Sequence, residues 1–237
     1  MNSAKFRFPI LVLVSLAILC HRASGQAIPD GYKLVYQQDF THPKSLQDFE
    51  FSDRSQWHLT SDSARSLECT EKGGYEPVYR SPFTIALMKK KMVGSFILEV
   101  DLLQTGREYG HRDMVVVFDF VDDTHFHYTH IATESDDLAH QIMKVDGEPR
   151  KKISSWTSKG INWGNHQWRR VRIERDADVG SIKVFFEGEL VQEANDKDFP
   201  FGAIGFGSFD DSGKIDNIKI WAREAKSIKK KLLPRAK

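Results

Sequence analysis

Apolar and polar residues alternate with period two along much of the chain, and a helical period is nearly absent. In segment 168–175 the polar residues Arg170, Arg172 and Glu174 alternate with Val171 and Ile173. In 181–187 the apolar residues Ile182, Val184 and Phe186 alternate with Lys183 and Glu187. A strand with one face in a core and one in water has this pattern. The same reading predicts strands over 32–37, 57–60, 96–103, 114–121, 126–132, 141–145, 168–175, 181–186, 203–208 and 215–221. Gly, Asp, Asn and Pro separate them. Arg175-Asp176-Ala177-Asp178-Val179-Gly180 suits a longer hairpin loop, and Glu187-Gly188 a tight turn. Ten short strands at this spacing predict an all-β sandwich or barrel.

The N-terminus departs from the pattern. Lys5 and Arg7 precede an apolar run over 10–20, and Ala23-Ser24-Gly25 places small residues where a signal peptidase cuts. This is the layout of a secretory signal peptide, cleaved after Gly25, and it predicts a secreted or periplasmic protein. The run is too short for a comfortable membrane span, so no stable membrane insertion is expected.

Composition narrows the class. The chain has 237 residues, 40% hydrophobic and 28% charged, which is globular. Its formal charge of +1 gives no argument for nucleic acid. Residues 223–237 hold seven bases and one acid, leaving 24 bases against 32 acids, a net of −8, on 26–222. The basic tail reads as a solvated, frayed terminus beyond one domain over 30–222. Cys69 is the only cysteine after the signal segment, so no internal disulfide and no multi-thiolate zinc site is expected.

Three segments carry a family resemblance. They are Asp122-Asp123-Thr124-His125-Phe126-His127-Tyr128-Thr129-His130-Ile131, then Trp168-Arg169-Arg170-Val171-Arg172-Ile173-Glu174-Arg175 with Gly180-Ser181-Ile182-Lys183-Val184-Phe185-Phe186-Glu187-Gly188. The third is Phe201-Gly202-Ala203-Ile204-Gly205-Phe206-Gly207-Ser208-Phe209, followed by Ile215-Asp216-Asn217-Ile218. Together they resemble the concanavalin A-like lectin/glucanase superfamily, which includes laminin-G-like domains. The nearest likeness is to secreted bacterial domains of the 3-keto-disaccharide-hydrolase and family-16-glucanase kind. The resemblance implies a two-sheet antiparallel jelly roll with a saccharide or polysaccharide as partner. Fold alone does not choose among lectins, adhesive domains, hydrolases and lyases.

Family-16-like glucanases carry E-x-D-x-x-E on one strand. Here Glu99-Val100-Asp101-Leu102-Leu103-Gln104 puts an amide where the acid/base would stand. A retaining glycosidase needs two carboxyl groups about 5 Å apart. The densest polar constellation lies instead over 107–141. Strand parity puts Tyr128 and His130 on one face, with Asp113 and Asp119 sharing a parity beside them. Asp113, Asp119, Tyr128, His130, Gln141 and Trp163 are the candidate saccharide contacts. If the protein is an enzyme, a hydrolase or lyase, His130, Tyr128 and Arg112 are the candidate catalytic groups, as base, phenol and carboxylate-neutralising cation. Trp163 lies between Asn162 and Gly164 and suits stacking on a sugar, whereas Trp168 leads a strand and reads as structural. His125, His127 and His130 lack the spacing of a zinc site.

Members of the superfamily often hold a structural calcium between first and last strands. Asp39 and Asp216 match those positions and are the candidate ligands, with backbone carbonyls completing a hard-oxygen shell. The leading expectation is an exported carbohydrate-binding jelly roll. A glycoside hydrolase or polysaccharide lyase using the 107–141 groove, and an adhesive domain without small ligand, are the alternatives.

Overall fold

The computed structural model describes residues 27–61, 64–70 and 73–234, and the alternating segments are strands in it. In chain order they are β1 Lys33–Gln38, β2 Phe49–Phe51, β3 Trp57–Leu59, β4 Leu67–Cys69, β5 Thr84–Met88 and β6 Lys91–Val93. There follow β7 Phe96–Gln104, β8 Asp113–Asp122, β9 His125–Ala132, β10 Ile142–Asp146, β11 Lys151–Lys152 and β12 Ser154–Thr157. The last six are β13 Trp168–Asp176, β14 Ser181–Phe186, β15 Glu189–Asn195, β16 Ala203–Ser208, β17 Gly213–Ala222 and β18 Ala225–Ser227. The predicted signal peptide lies outside the described residues. Among the described residues no helix is long and apolar enough to cross a membrane.

Two antiparallel sheets form the sandwich. The first runs β12-β15-β14-β13-β7-β17-β4-β3, with β1 also paired to β17. The second runs β11-β10-β9-β8-β16-β5-β2. This is the predicted two-sheet jelly roll. Leu98, Val100 and Leu102 of β7 and Val171 and Ile173 of β13 point inward against Met114, Val116 and Phe118 of β8 and Ile204 and Phe206 of β16. Burial of these side chains supplies the main driving force.

The second sheet is buried on its other face too. Val115, Val117, Phe126, Tyr128, Met143 and Phe209 form a second cluster there with Leu232 and Leu233. Residues 225–233 are therefore no frayed end, and this corrects the expectation. β18 pairs with β6, and Ile228 N donates to the Lys90 carbonyl at 3.1 Å. The Leu232 and Leu233 amides donate to the two carboxylate oxygens of Glu50 at 3.1 and 3.0 Å. The basic composition of the tail masked two buried leucines.

A bulge breaks β8. Its register with β9 slips between Phe118 and Asp122, and Asp119 takes a left-handed φ of 52°. Gly202 makes this backbone fit, because a Cβ there would lie 2.0 Å from the Asp119 carbonyl carbon.

Candidate functional site

Strand parity brings Asp113, Tyr128 and His130 to one face, as expected. His130 Nε2 lies 2.8 Å from Asp113 Oδ2, and its Nδ1 donates to the Leu138 carbonyl at 2.9 Å. Ser208 Oγ donates to Asp113 Oδ1 at 2.8 Å. Both Asp113 N and the Tyr109 hydroxyl donate to Asp211 Oδ2, each at 2.9 Å. Burial pushes the Asp211 carboxyl up to about 6, and the Asp113 charge adds to this while the Asp113 amide opposes it. His130, Asp113 and Tyr128 are all buried, so they form the floor of this face rather than an open contact surface. Burial pushes the Tyr128 phenol up to about 12, against the opposing charge of Arg150.

Phe209 covers this floor. Its ring lies 5.0 Å from His130 and 6.1 Å from Tyr128. Two arginines lie against its ring. The Arg150 guanidinium sits 4.8 Å from the ring centroid and donates to the Tyr128 hydroxyl at 2.9 Å, and Arg80 sits 5.8 Å from the same ring.

Gln141 is buried on the same strand parity. Its Nε2 donates to Ser135 Oγ and the Asp136 carbonyl at 3.2 and 2.7 Å, pinning the 135–136 loop, while its Oε1 has no hydrogen-bond partner among the described residues. His140, unremarked in the sequence, is also buried. Its Nδ1 accepts from Ala132 N, and burial, with the His130 charge, pushes its pKa down to about 4.

The other candidates fall elsewhere. The bulge turns Asp119 away from Tyr128 and into a fully buried cluster. Its Oδ2 accepts from Arg175 Nε and pairs with His127 Nδ1, both at 2.9 Å. His127 Nε2 faces Asp196 Oδ1 at 3.4 Å, an ion-pair distance. Burial works against the imidazolium, but Asp119 and Asp196 outweigh it and raise the His127 pKa. Trp163 is core. Its Nε1 donates to the Arg112 carbonyl at 3.2 Å, and its ring meets Phe186 edge-on at 5.3 Å. Trp168, expected to be structural, is 42% exposed.

Arg112 is fully engaged. Its Nε donates to Gln104 Oε1 at 2.7 Å, and its terminal nitrogens donate to the Gly164 and Gln104 carbonyls, each at 3.1 Å. Gln104 is thus a buried clamp. Glu99 and Asp101 lie on the opposite parity of β7, half-buried among Arg170 and Arg172. The glucanase-like strand therefore never brings its three polar groups to one face.

Arg112 and Trp163 do form the walls of an open pocket of about 330 Å³ at one end of the sandwich. Glu108, Tyr109, Gly110, Thr133, Glu134 and Asn162 complete it. Three loops build it. Glu134 N donates to the Gly110 carbonyl at 2.8 Å and Thr133 N to the Arg112 carbonyl at 3.3 Å. Gly160 permits the third approach: it has φ 127°, and a Cβ there would lie 2.0 Å from the Thr133 carbonyl oxygen. Glu108 Oε1 stands 3.7 Å from Arg112 Nη1, and Asn162 Oδ1 accepts from Gly164 N at 2.8 Å. The Tyr109–Asp211–Asp113 chain links this pocket to the floor beneath Phe209. Glu134 and Asp211 carry no sequence signal beyond residue type.

Asp39 lies near enough to Asp216 for its charge to act on that carboxyl. Burial pushes the Asp216 carboxyl up to about 6, and the charges of Asp101 and Asp39 add to this against the bond from Asn217 N. Asp101 is held by Arg170 and by Asn217 Nδ2. Among the described residues no three His, Cys, Asp or Glu side chains converge as a metal-holding group. Asp39 and Asp216 thus supply two carboxylates, and a calcium shell there needs carbonyl and water oxygens for the rest.

No protein-family model matches the chain, and no curated protein matches it. Solved structures do. The chain is similar to the carbohydrate-binding module CBM66 from Bacillus subtilis, with TM-score 0.53 and 15% identity over 72% of this chain and 93% of that one. It is similar to the winged bean acidic lectin complexed with methyl-α-D-galactose, with TM-score 0.54 and 11% identity over 80% and 98%. A protein described as a putative glycosyl hydrolase from Parabacteroides distasonis gives TM-score 0.52 and 15% identity over 81% and 98%. The fold is the two-sheet antiparallel jelly roll that the chain shares with this carbohydrate-binding module and this lectin.

Proposed function

We propose that this chain is an exported saccharide-binding domain whose ligand enters the pocket between the 108–112, 133–134 and 162–163 loops. The observation that carries the reading is the preformed state of that pocket. Arg112 and Trp163 fix its walls by buried hydrogen bonds, while Glu108 and Glu134 remain as carboxylates toward solvent. Carboxylate and amide oxygens accept from paired sugar hydroxyls, and a rigid site avoids ordering cost on binding. The volume suits one sugar residue of a longer chain. Likeness in fold to carbohydrate-binding modules and lectins supports the class.

The buried state of His130 and Tyr128, and the full engagement of Arg112, favour binding over turnover at those residues. Lys5 and Arg7, the apolar run over 10–20 and the small-residue site at Ala23–Gly25 support export. Calcium bridging Asp39 and Asp216 would relieve their mutual repulsion and tie β17 to the end of β1.

The test is retention of the purified protein on a panel of neutral polysaccharides, with product release read in the same tubes. Retention that Glu134→Gln and Asn162→Ala each weaken at least about tenfold, a loss of roughly 1.4 kcal/mol, supports the pocket. Retention unchanged in both variants, or none on any glycan, overturns it. Released products would move the protein to the hydrolases or lyases.

A further inference from the structure

The face of the second sheet carries a charge arrangement that the end pocket leaves unexplained. Arg80 comes from the segment before β5, and Arg150 from the turn between β10 and β11. Both stack on Phe209, and Arg80 also lies 5.5 Å from Phe83. The Tyr79 hydroxyl donates to the Gly147 carbonyl at 2.5 Å, tying the two segments together. Tyr128 holds Arg150 from below. Each guanidinium is therefore held against the Phe209 ring by aromatic contacts rather than by acids.

Among the described residues neither guanidinium has a carboxylate within salt-bridge distance. Arg169, Arg170, Arg172, Arg175 and Arg223 each have one. Lack of acids is not the cause, because residues 26–222 carry a net charge of −8. Stacking does not use the N–H edges of a guanidinium, and Arg150 gives only an Nη1 bond to Tyr128, so the planar fork still matches a carboxylate or sulfate in two-point bonding. Tyr79 and Phe83 are half-buried beside the arginines, giving apolar surface for a sugar ring.

We propose that Arg80 and Arg150, stacked on Phe209, form a second binding site for an acidic saccharide, whose carboxylate or sulfate ester they hold. The site is separate from the end pocket. That its anion is carried by a saccharide rests on the reading given above.

The experiment is binding of the full purified protein to polygalacturonate and dextran sulfate, with methyl-esterified pectin and dextran as neutral counterparts. Wild type binds one of the acidic polymers at least tenfold tighter than its neutral counterpart. Arg80→Gln loses that difference, and so does Arg150→Gln. Arg80 is exposed, so its variant keeps the fold should Arg150→Gln disturb Tyr128. The control is Lys230→Gln, which removes the same single charge from the exposed tail and leaves binding unchanged.

Acidic-polymer binding that survives both arginine variants, or that falls equally in the tail control, overturns the site in favour of diffuse attraction. Arg80-dependent binding to phosphatidylglycerol vesicles with none to either acidic polymer overturns the saccharide assignment. Neutral-glycan retention sensitive to Glu134→Gln is read separately, so either site can fail alone.

Discussion

Phe118 and Phe120 stand two positions apart in β8, yet Phe118 packs between the sheets and Phe120 on the other face of its own sheet. In a regular strand the two would share a face. The bulge at Asp119 inverts the parity, and Gly202, just before the neighbouring β16, is its steric condition. Gly202→Ala is expected to destabilise the fold by about 3 kcal/mol, since backbone atoms of Asp119 and Phe120 leave no side chain to yield. Urea unfolding checks this, and a midpoint equal to wild type would refute it.

The same bulge aims Asp119 at Arg175 and His127 in a site closed to solvent. Asp119→Ala leaves the Arg175 charge buried without its partner and is expected to cost about 3–5 kcal/mol. His127 adds a pH signature. Its folded pKa is raised, so its contribution is fully present below the ordinary value of 6.5 and is lost as pH rises through the folded value. Asp119→Asn removes most of that contribution. Melting temperatures across pH 6 to 9 should therefore decline less steeply in the variant than in wild type, and parallel curves would count against the coupling.

The expected strands and the observed ones agree best where one face meets water. β7, β13 and β14 alternate plainly because Glu99, Asp101, Arg170 and Lys183 sit on the outer side of the first sheet. β5 left no such trace. Thr84–Met88 is buried on both faces, so nothing alternates, and Ala, Leu and Met favour helix in isolation. The site divides along the same line. Asp113, Tyr128 and His130 meet as parity predicts because the bulge lies beyond them. Asp119 fails because a bulge is invisible in a run of apolar residues. Trp163 lines the end pocket, and its loop setting hid the bond from its Nε1 to the Arg112 carbonyl that buries its ring. Arg80, Arg150 and Phe209 come from three distant segments, and no local spacing joins them.

Asp216 gives a prediction in which pH and calcium act in opposite senses. Its folded pKa of about 6 lies above the ordinary 3.8, so the folded chain holds more protons and stability falls as pH rises between those values. Without calcium, Asp216→Asn should raise the melting temperature at pH 7.5 and leave it unchanged at or below pH 4. With millimolar calcium the proposed ion offsets the repulsion, so wild type should gain stability that the variant does not. A wild-type melting temperature indifferent to calcium would remove the ion from the account.

Cys69 is buried, and its thiol donates to the Gly213 carbonyl at 3.5 Å. Burial pushes the thiol up to about 12, so almost none is thiolate at neutral pH. Ellman's reagent should leave the native protein unmodified and label one thiol per chain of a purified 26–237 protein in 6 M guanidinium chloride. Rapid native labelling would show that β4 opens far more readily than its core position allows.

Leu233 tests the role of the C-terminal segment. It lies in the second cluster, and its amide is bound by Glu50, a residue of β2 at the sheet edge. Truncation to alanine removes about 2–5 kcal/mol if the side chain is core. A frayed tail would cost nothing measurable. Glu50→Gln separates packing from anchoring: it keeps the side-chain oxygen but weakens the two charge-assisted bonds to Leu232 and Leu233 by about 1–3 kcal/mol in total. Hydrogen exchange at those two amides should speed up in both variants. The tail's three consecutive lysines then owe their position to the leucines that follow them, and a segment that looks like a solvated basic terminus completes the cover of the second sheet.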